Sequence, residues 1–156
     1  MDRPSDGGMD PGESGTPVPR TTAPLRIAVL SPPMLPIPPA TYAGTERVVA
    51  ALVGELHARG HQVTLFAPGD SDVPCELVPT VEQSLWSTGY QGPVDAFIDI
   101  SLAEVWRQHE RFDVIHSHLE TGGFLFARLC PTPVVATLHG RLDLSLIHIS
   151  EPTRRS

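Results

Sequence analysis

The apolar residues of this chain repeat with two different spacings, which alternate along residues 25–143. Short apolar runs bounded by turn-forming residues are typical of buried parallel strands, whereas apolar positions three or four residues apart are typical of helices. The short runs predict strands at 25–31, 61–67, 76–81, 112–118 and 133–140. The chain between them predicts helices at 45–60, 95–109 and 122–129. This alternation predicts an α/β fold with a doubly wound parallel sheet.

The helix at 45–60 is the best specified of these elements. Thr45 is expected to cap its first turn, and Gly60 to end it in a left-handed conformation. Its apolar face is expected to consist of Val48, Val49, Leu52, Val53 and Leu56. Five prolines lie within residues 32–39, which excludes a helix or a central strand and predicts a long, stiff loop before this helix.

The two ends of the chain differ in composition from the part between them. Residues 1–24 hold five Pro and four Gly and too few apolar residues to offset chain entropy, so we expect a disordered leader. Residues 144–156 do not continue the sheet pattern, and they resemble the translation of a sequencing-library adapter, so we expect a non-native tail. Residues 25–143 are then a single domain, expected to be incomplete.

Charge and composition narrow the classes of function. The chain of 156 residues has a formal net charge of -7 and no basic stripe to neutralise phosphates, so no nucleic-acid partner is expected. All 11 basic residues are Arg, which excludes Schiff-base chemistry and a P-loop, because both need a Lys amine. The two cysteines are expected to be free thiols in a reducing compartment. Since no apolar run approaches the ~20 residues that cross a bilayer, a cytoplasmic protein is expected.

A candidate anion site lies at the start of the helix at 45–60. Ligands of parallel sheets bind beyond the carboxyl ends of the strands, and the turn after 25–31 has no G-x-G-x-x-G, which disfavours a dinucleotide site of the usual kind. Gly44 and Thr45 instead present free amides at the positive end of a helix dipole, which suits a phosphate or diphosphate. A plain helix cap is the alternative interpretation, and the carboxylate of Glu46 counts against an anion.

Histidines at the ends of two predicted strands are the second candidate. His116 and His118 are two residues apart, so on a strand they project to the same face. With His139 they would suit zinc, although no further ligand has a fitting spacing. Alternatively, a strand-end histidine hydrogen-bonds a polar substrate or stabilises a developing charge. The third interpretation makes His116 a satisfied core residue and His118 an exposed one.

Four segments together resemble the N-terminal domain of glycosyltransferase family 4. They are residues 42–49, 56–67, 112–118 and 135–140, and the resemblance spans residues 25–143. It implies the GT-B architecture, in which two Rossmann-like domains face each other across a cleft. It also implies retaining transfer of a sugar from a nucleotide-sugar, with no metal ion or other cofactor required.

The resemblance assigns roles to single residues. Gly44 matches the glycine whose amide approaches the donor diphosphate, although Ala43 stands where the family usually has another glycine. His118 matches the strand-end histidine that contacts the donor sugar, so it is the expected catalytic residue, with His116 in support. Further candidates follow strand ends and are assigned to the acceptor side by position alone: Glu120, Thr121, His139, Gly140 and Arg141. The prolines of 32–39 are expected to form a stiff wall of the cleft.

The resemblance thus implies the acceptor-side fragment of a hexosyltransferase acting on a glycan, lipid or small-molecule acceptor. In this family a second domain supplies the carboxylates and basic residues that hold the nucleotide, so the fragment is expected to be inactive alone. A lipid acceptor would require peripheral membrane contact in the full-length enzyme. The alternative from the residues is a stand-alone Rossmann- or flavodoxin-like module that binds a phosphorylated small molecule through Gly44.

Overall fold

The computed structural model describes residues 23–140, which form a parallel sheet of five strands with helices on both sides. In chain order the elements are β1 (Arg26–Leu30), α1 (Gly44–Ala58), β2 (Gln62–Ala67), β3 (Glu76–Pro79), α2 (Asp95–Arg107), a 3-10 turn (His109–Arg111), β4 (Val114–Ser117), α3 (Gly122–Ala127) and β5 (Val134–Ala136). The strand order is β3-β2-β1-β4-β5, with all four pairs parallel. The predicted doubly wound α/β fold is thus confirmed. The expected tail, nearly all of the expected leader and Arg141 lie outside the described residues.

Two apolar layers form because successive residues of a strand face opposite sides of the sheet. On one side, Ile27 and Val29 of β1 pack with Val49 and Val53 of α1. The other side joins β1 to α2 through Ala28, Leu30, Leu102 and Val105. α3 contacts both α2 and β5, so the chain covers one face with α1 and the other with α2 and α3.

Helix α1 differs from its prediction at its start and agrees with it at its end. It begins at Gly44, and Ala43 is the N-cap without a side-chain hydrogen bond, so the prediction of a Thr45 cap was wrong. Gly60 has the expected left-handed φ of 84°. The helix closes with Gly60 N–H donating to the carbonyl of His57 at 2.9 Å and His61 N–H donating to Leu56 at 3.1 Å, a Schellman motif.

The two strands nearest the candidate histidines are shorter than predicted. β4 ends at Ser117 and β5 at Ala136, so His118 and His139 lie in the loops just beyond them. The hydrogen-bond ladder of the sheet continues into the first residue of each loop. His118 N–H donates to the carbonyl of Leu30 at 3.0 Å, and Thr137 N–H donates to the carbonyl of Ser117 at 2.9 Å. The carboxyl ends of the neighbouring strands β4 and β5 therefore bring both side chains to the same end of the sheet.

The helices in the part of the chain that the structure describes are all too short or too polar to cross a lipid bilayer.

Candidate functional site

A cavity of about 660 Å³ opens beyond the carboxyl ends of β1, β4 and β5, beside the first turn of α1. β1 lies between β2 and β4, and the chain winds outward from it in both directions, so the cavity is at the topological switch point where open α/β sheets bind ligands. Its lining residues are Pro32, Met34, Leu35, Tyr42, Ala43, Gly44, Thr45, Glu46, Val48, Trp86, Ile98, His118, Leu119, Glu120 and His139.

Three histidines form a stacked group beside this cavity. The rings of His116 and His118 are 4.4 Å apart between centroids, and those of His118 and His139 are 5.1 Å apart. Nδ1 of His118 shares a hydrogen bond of 2.8 Å with Nε2 of His139. Nε2 of His116 shares one of the same length with the hydroxyl of Thr137. The sequence thus predicted the grouping of the histidines but not the role of Thr137, whose position in the sequence carries no signal for this contact.

His118 is the most deeply buried of the three, with 1% of its surface exposed, so the interpretation that makes it an exposed residue was wrong. Burial, reinforced by the charges that His116 and His139 would carry, lowers its pKa to about 4. Burial followed by the charge of His139 also lowers the pKa of His116. Within the part of the chain that the structure describes, the buried Nε2 of His118 has no hydrogen-bond partner. At neutral pH the site therefore contains an uncharged imidazole whose hydrogen-bonding capacity at Nε2 is unused within the described residues.

Glu120 joins the two loops that carry His118 and His139. Its Oε1 accepts hydrogen bonds from the backbone N–H of His139 at 3.0 Å and of Gly140 at 3.1 Å. Its own backbone has a φ of 49°, a left-handed conformation that residues other than glycine rarely adopt. Glu120 thus fixes the loop after β5 against the loop after β4.

The first turn of α1 forms the opposite side of the cavity. The first backbone N–H groups of a helix have no hydrogen-bond partner within the helix. In α1 these are the N–H groups of Gly44, Thr45 and Glu46, which point out of its N-terminal end. A Cβ added at Gly44 would meet nothing within 4 Å, which means that packing does not require glycine there. Glu46 is buried and lines the cavity, and its carboxylate opposes an anion at this turn.

Two exposed aromatic side chains at the cavity were missed by sequence reasoning. Tyr42 is 86% exposed and Trp86 is 59% exposed, and both line the cavity. The backbone N–H of Trp86 donates to Met34 at 3.1 Å, which ties the loop that carries it to the proline-rich loop after β1. Such a contact between segments about 50 residues apart has no signal in a single sequence.

The remaining candidates are placed as follows. The ring of His116 stacks on that of His118, Thr121 begins the turn into α3, and Gly140 N–H donates to the Glu120 carboxylate. None of these three lines the cavity, and Arg141 is outside the described residues. Within residues 23–140, no group of three or more His, Cys, Asp or Glu side chains is arranged to hold a metal ion, so the geometry gives no support to the zinc alternative.

Comparison with known proteins identifies the family. No curated protein matches the chain. A family model, Glycosyltransferase Family 4, matches residues 42–155. The match includes the first turn of α1, the three histidines and Glu120, and it extends across most of the segment expected to be a tail, so the domain boundaries stay a prediction. Since it covers more than half of the sequence, this chain belongs to glycosyltransferase family 4.

Proposed function

We propose that this chain forms the acceptor-side half of a retaining hexosyltransferase that moves a sugar from a nucleotide-sugar to an acceptor. The observation that carries the proposal is the cavity at the switch point of the sheet, which has the start of α1 on one side and His118 on the other. Membership of glycosyltransferase family 4 supports a transferase-like role. We propose three further details beyond this role: retention of configuration at the transferred sugar, the GT-B architecture, and a nucleotide-sugar as donor.

In this proposal His118 binds the donor sugar as a neutral group. Its unpartnered Nε2 faces a hydroxyl of the sugar, while Nδ1 is held by His139. With a pKa of about 4 it carries no charge at neutral pH, so its role is to orient the sugar by hydrogen bonding rather than to balance a negative charge. The free amides at Gly44 and Thr45 lie where the diphosphate would approach the helix dipole.

The charges around the cavity explain why this half is not expected to act alone. Its described lining contains two carboxylates, Glu46 and Glu120, and no Arg side chain. A leaving diphosphate needs positive charge in the transition state. We therefore assign that charge to a second domain across the cleft, as the GT-B architecture implies, and we assign no metal ion to the described cavity.

The lining suits a polyhydroxylated acceptor. Tyr42 and Trp86 offer exposed aromatic faces, which combine an apolar surface with a polar group at one end. The carboxylates of Glu46 and Glu120 accept hydrogen bonds from hydroxyl groups. The same carboxylates repel any phosphate in the cavity, and no described cation of the lining compensates them. A transferase can supply the missing positive charge from a second domain, whereas a stand-alone module that binds a phosphorylated small molecule cannot.

A titration followed by NMR tests the proposal. The 15N-labelled 156-residue chain is titrated with UDP-glucose, GDP-mannose and ADP-glucose, and separately with inorganic phosphate. We expect at least one nucleotide-sugar to shift the amide signals of Gly44 and Thr45 together with the imidazole signals of His118. Inorganic phosphate at the same concentration should shift them far less.

Two matched glycine variants provide the control. Gly44 and Gly54 lie in the same helix, and an added Cβ meets nothing within 4 Å at either position, but only Gly44 lines the cavity. Gly44→Ala should therefore weaken the response to the nucleotide-sugar several-fold, whereas Gly54→Ala should leave it unchanged. Equal responses to phosphate and nucleotide-sugars would favour the binding module, and shifts confined to residues away from the cavity would contradict both proposals.

A further inference from the structure

The backbone at Glu120 has an unusual conformation for its residue type. Its φ of 49° is the only positive φ of a residue other than glycine within residues 23–140. Such a conformation is strained for a residue with a Cβ and persists where the surroundings hold it. Here the side chain does so, because one carboxylate oxygen accepts two consecutive N–H groups, from His139 and Gly140.

Glu120 and His118 hold the loop after β5 from two sides. The ring of His139 is bound to Nδ1 of His118 at 2.8 Å, and its backbone is bound to Glu120 at 3.0 Å. Before this point the same loop is held by Thr137, whose hydroxyl bonds to His116. Glu120 therefore fixes the backbone at His139 and Gly140, beyond the contact that Thr137 makes.

We propose that Glu120 is a positioning residue, which holds the backbone of His139 so that its imidazole stays bonded to His118 and leaves Nε2 of His118 directed at the substrate. This rests on the proposed function, in which His118 contacts the donor sugar. Glu120 acts through His139, and its carboxylate need not touch the reacting atoms. The partner of Nδ1 decides which nitrogen of a neutral imidazole bears the proton, so Glu120 holds in place the bond on which the tautomer of His118 depends.

The Glu120 side chain can be altered in graded steps. Glu120→Gln keeps a carbonyl oxygen that accepts the two N–H groups, whereas Glu120→Ala removes the acceptor and keeps the strained backbone. Glu120→Gly removes the acceptor and relieves the strain, since glycine adopts a positive φ readily. Glu110→Ala is the matched control. Glu110 is an exposed glutamate in the 3-10 turn that precedes β4, so it lies at the amino ends of the strands, away from the cavity.

NMR of the full chain without ligand measures the effect. The wild type should show an imidazole N–H shared by His118 and His139 and protected from exchange with water, together with protected amides at His139 and Gly140. In Glu120→Ala and Glu120→Gly we expect the imidazole N–H signal to be lost and exchange at both amides to rise at least tenfold. Glu120→Gln and Glu110→Ala should resemble the wild type.

The outcomes separate a positioning role from a merely structural one. The proposal is overturned if Glu120→Gly or Glu120→Ala is folded by circular dichroism and keeps the shared imidazole N–H. It is also overturned if Glu120→Gln loses that signal as completely as Glu120→Ala does. Should Glu120→Ala fail to fold, Glu120→Gly and Glu120→Gln still decide the question. Because no ligand is present, a negative result here is distinct from failure of the nucleotide-sugar titration.

Discussion

His118 combines deep burial with a neutral charge state, and this makes the stability of the fold depend on pH. Its folded-state pKa of about 4 lies below the ordinary value of 6.5, so between these values the unfolded chain binds a proton that the folded chain does not. Stability must therefore fall as the pH falls from 6.5 towards 4. The expected loss from this group between pH 7 and pH 5 is at most about 2 kcal/mol.

Urea unfolding of the wild type and of His118→Gln at both pH values checks this prediction. His118→Gln removes the titrating group, so its free energy of unfolding should change less between pH 7 and pH 5 than that of the wild type. The difference of the two changes isolates His118 from the other groups that titrate in this range, apart from any coupling to His116 and His139. Parallel changes in the two proteins would show that His118 titrates normally.

The end of α1 depends on one glycine, whose role differs from that of a second glycine in the same helix. Gly60 has a φ of 84°, so Gly60→Ala should destabilise the protein by about 1 kcal/mol. Gly54 lies in the helix interior, where an added Cβ meets nothing within 4 Å. Gly54→Ala should therefore stabilise the protein by about 0.5 kcal/mol, because alanine loses less backbone entropy.

Urea midpoints with unchanged m values measure these two effects. The opposite signs are the informative result, since both substitutions add the same methyl group. If Gly60→Ala proved neutral, the left-handed closure of α1 would not contribute to stability.

At the scale of helices and strands, the order and type of the five strands and three α-helices followed from the sequence, whereas the 3-10 turn His109–Arg111 was not predicted. Apolar periodicity is a local property, and it also identified Val49 and Val53 as core residues. It failed at Val48, which is 48% exposed and lines the cavity, because the edge of an apolar stripe faces either the core or a ligand site. It also failed at the start of α1, where Thr45 has the residue type of a cap but lies two residues after the N-cap, Ala43.

The site was less predictable than the fold, because its contacts join distant segments. The histidines could be grouped from strand ends alone, since parallel strands bring their carboxyl ends to one edge. The hydrogen bonds that set the geometry of the histidines could not be predicted, because they join distant residues. Thr137 is 21 residues from His116, and Glu120 is 19 residues from His139. The sequence shows which residues can donate or accept hydrogen bonds. Loop conformations, such as the positive φ of Glu120, decide which of them pair.

At the scale of the whole fold, the cavity lies beyond the carboxyl end of β1, the strand from which the chain winds outward in both directions. Ser31 N–H donates to Phe66 at 2.9 Å, His118 N–H to Leu30 and Thr137 N–H to Ser117, so the strand ladders continue into the loops that form the cavity. The site therefore depends on the register of the central strands β2, β1 and β4 and of the edge strand β5. Its described walls carry two carboxylates, two exposed aromatic rings and the neutral imidazole of His118. In the proposed function these groups orient a sugar, and they offer no positive charge to a diphosphate.

This distribution of charge predicts that the purified 156-residue chain does not turn over a nucleotide-sugar. Release of nucleoside diphosphate, measured with UDP-glucose, GDP-mannose and ADP-glucose, should equal the rate without protein, even for a donor that shifts the NMR signals of Gly44. The physical reason is that binding of the sugar and stabilisation of the leaving group are separate tasks, and only the first is served by the described cavity. Saturable release that is abolished in His118→Ala would contradict this division, because the chain would then hold its own source of positive charge.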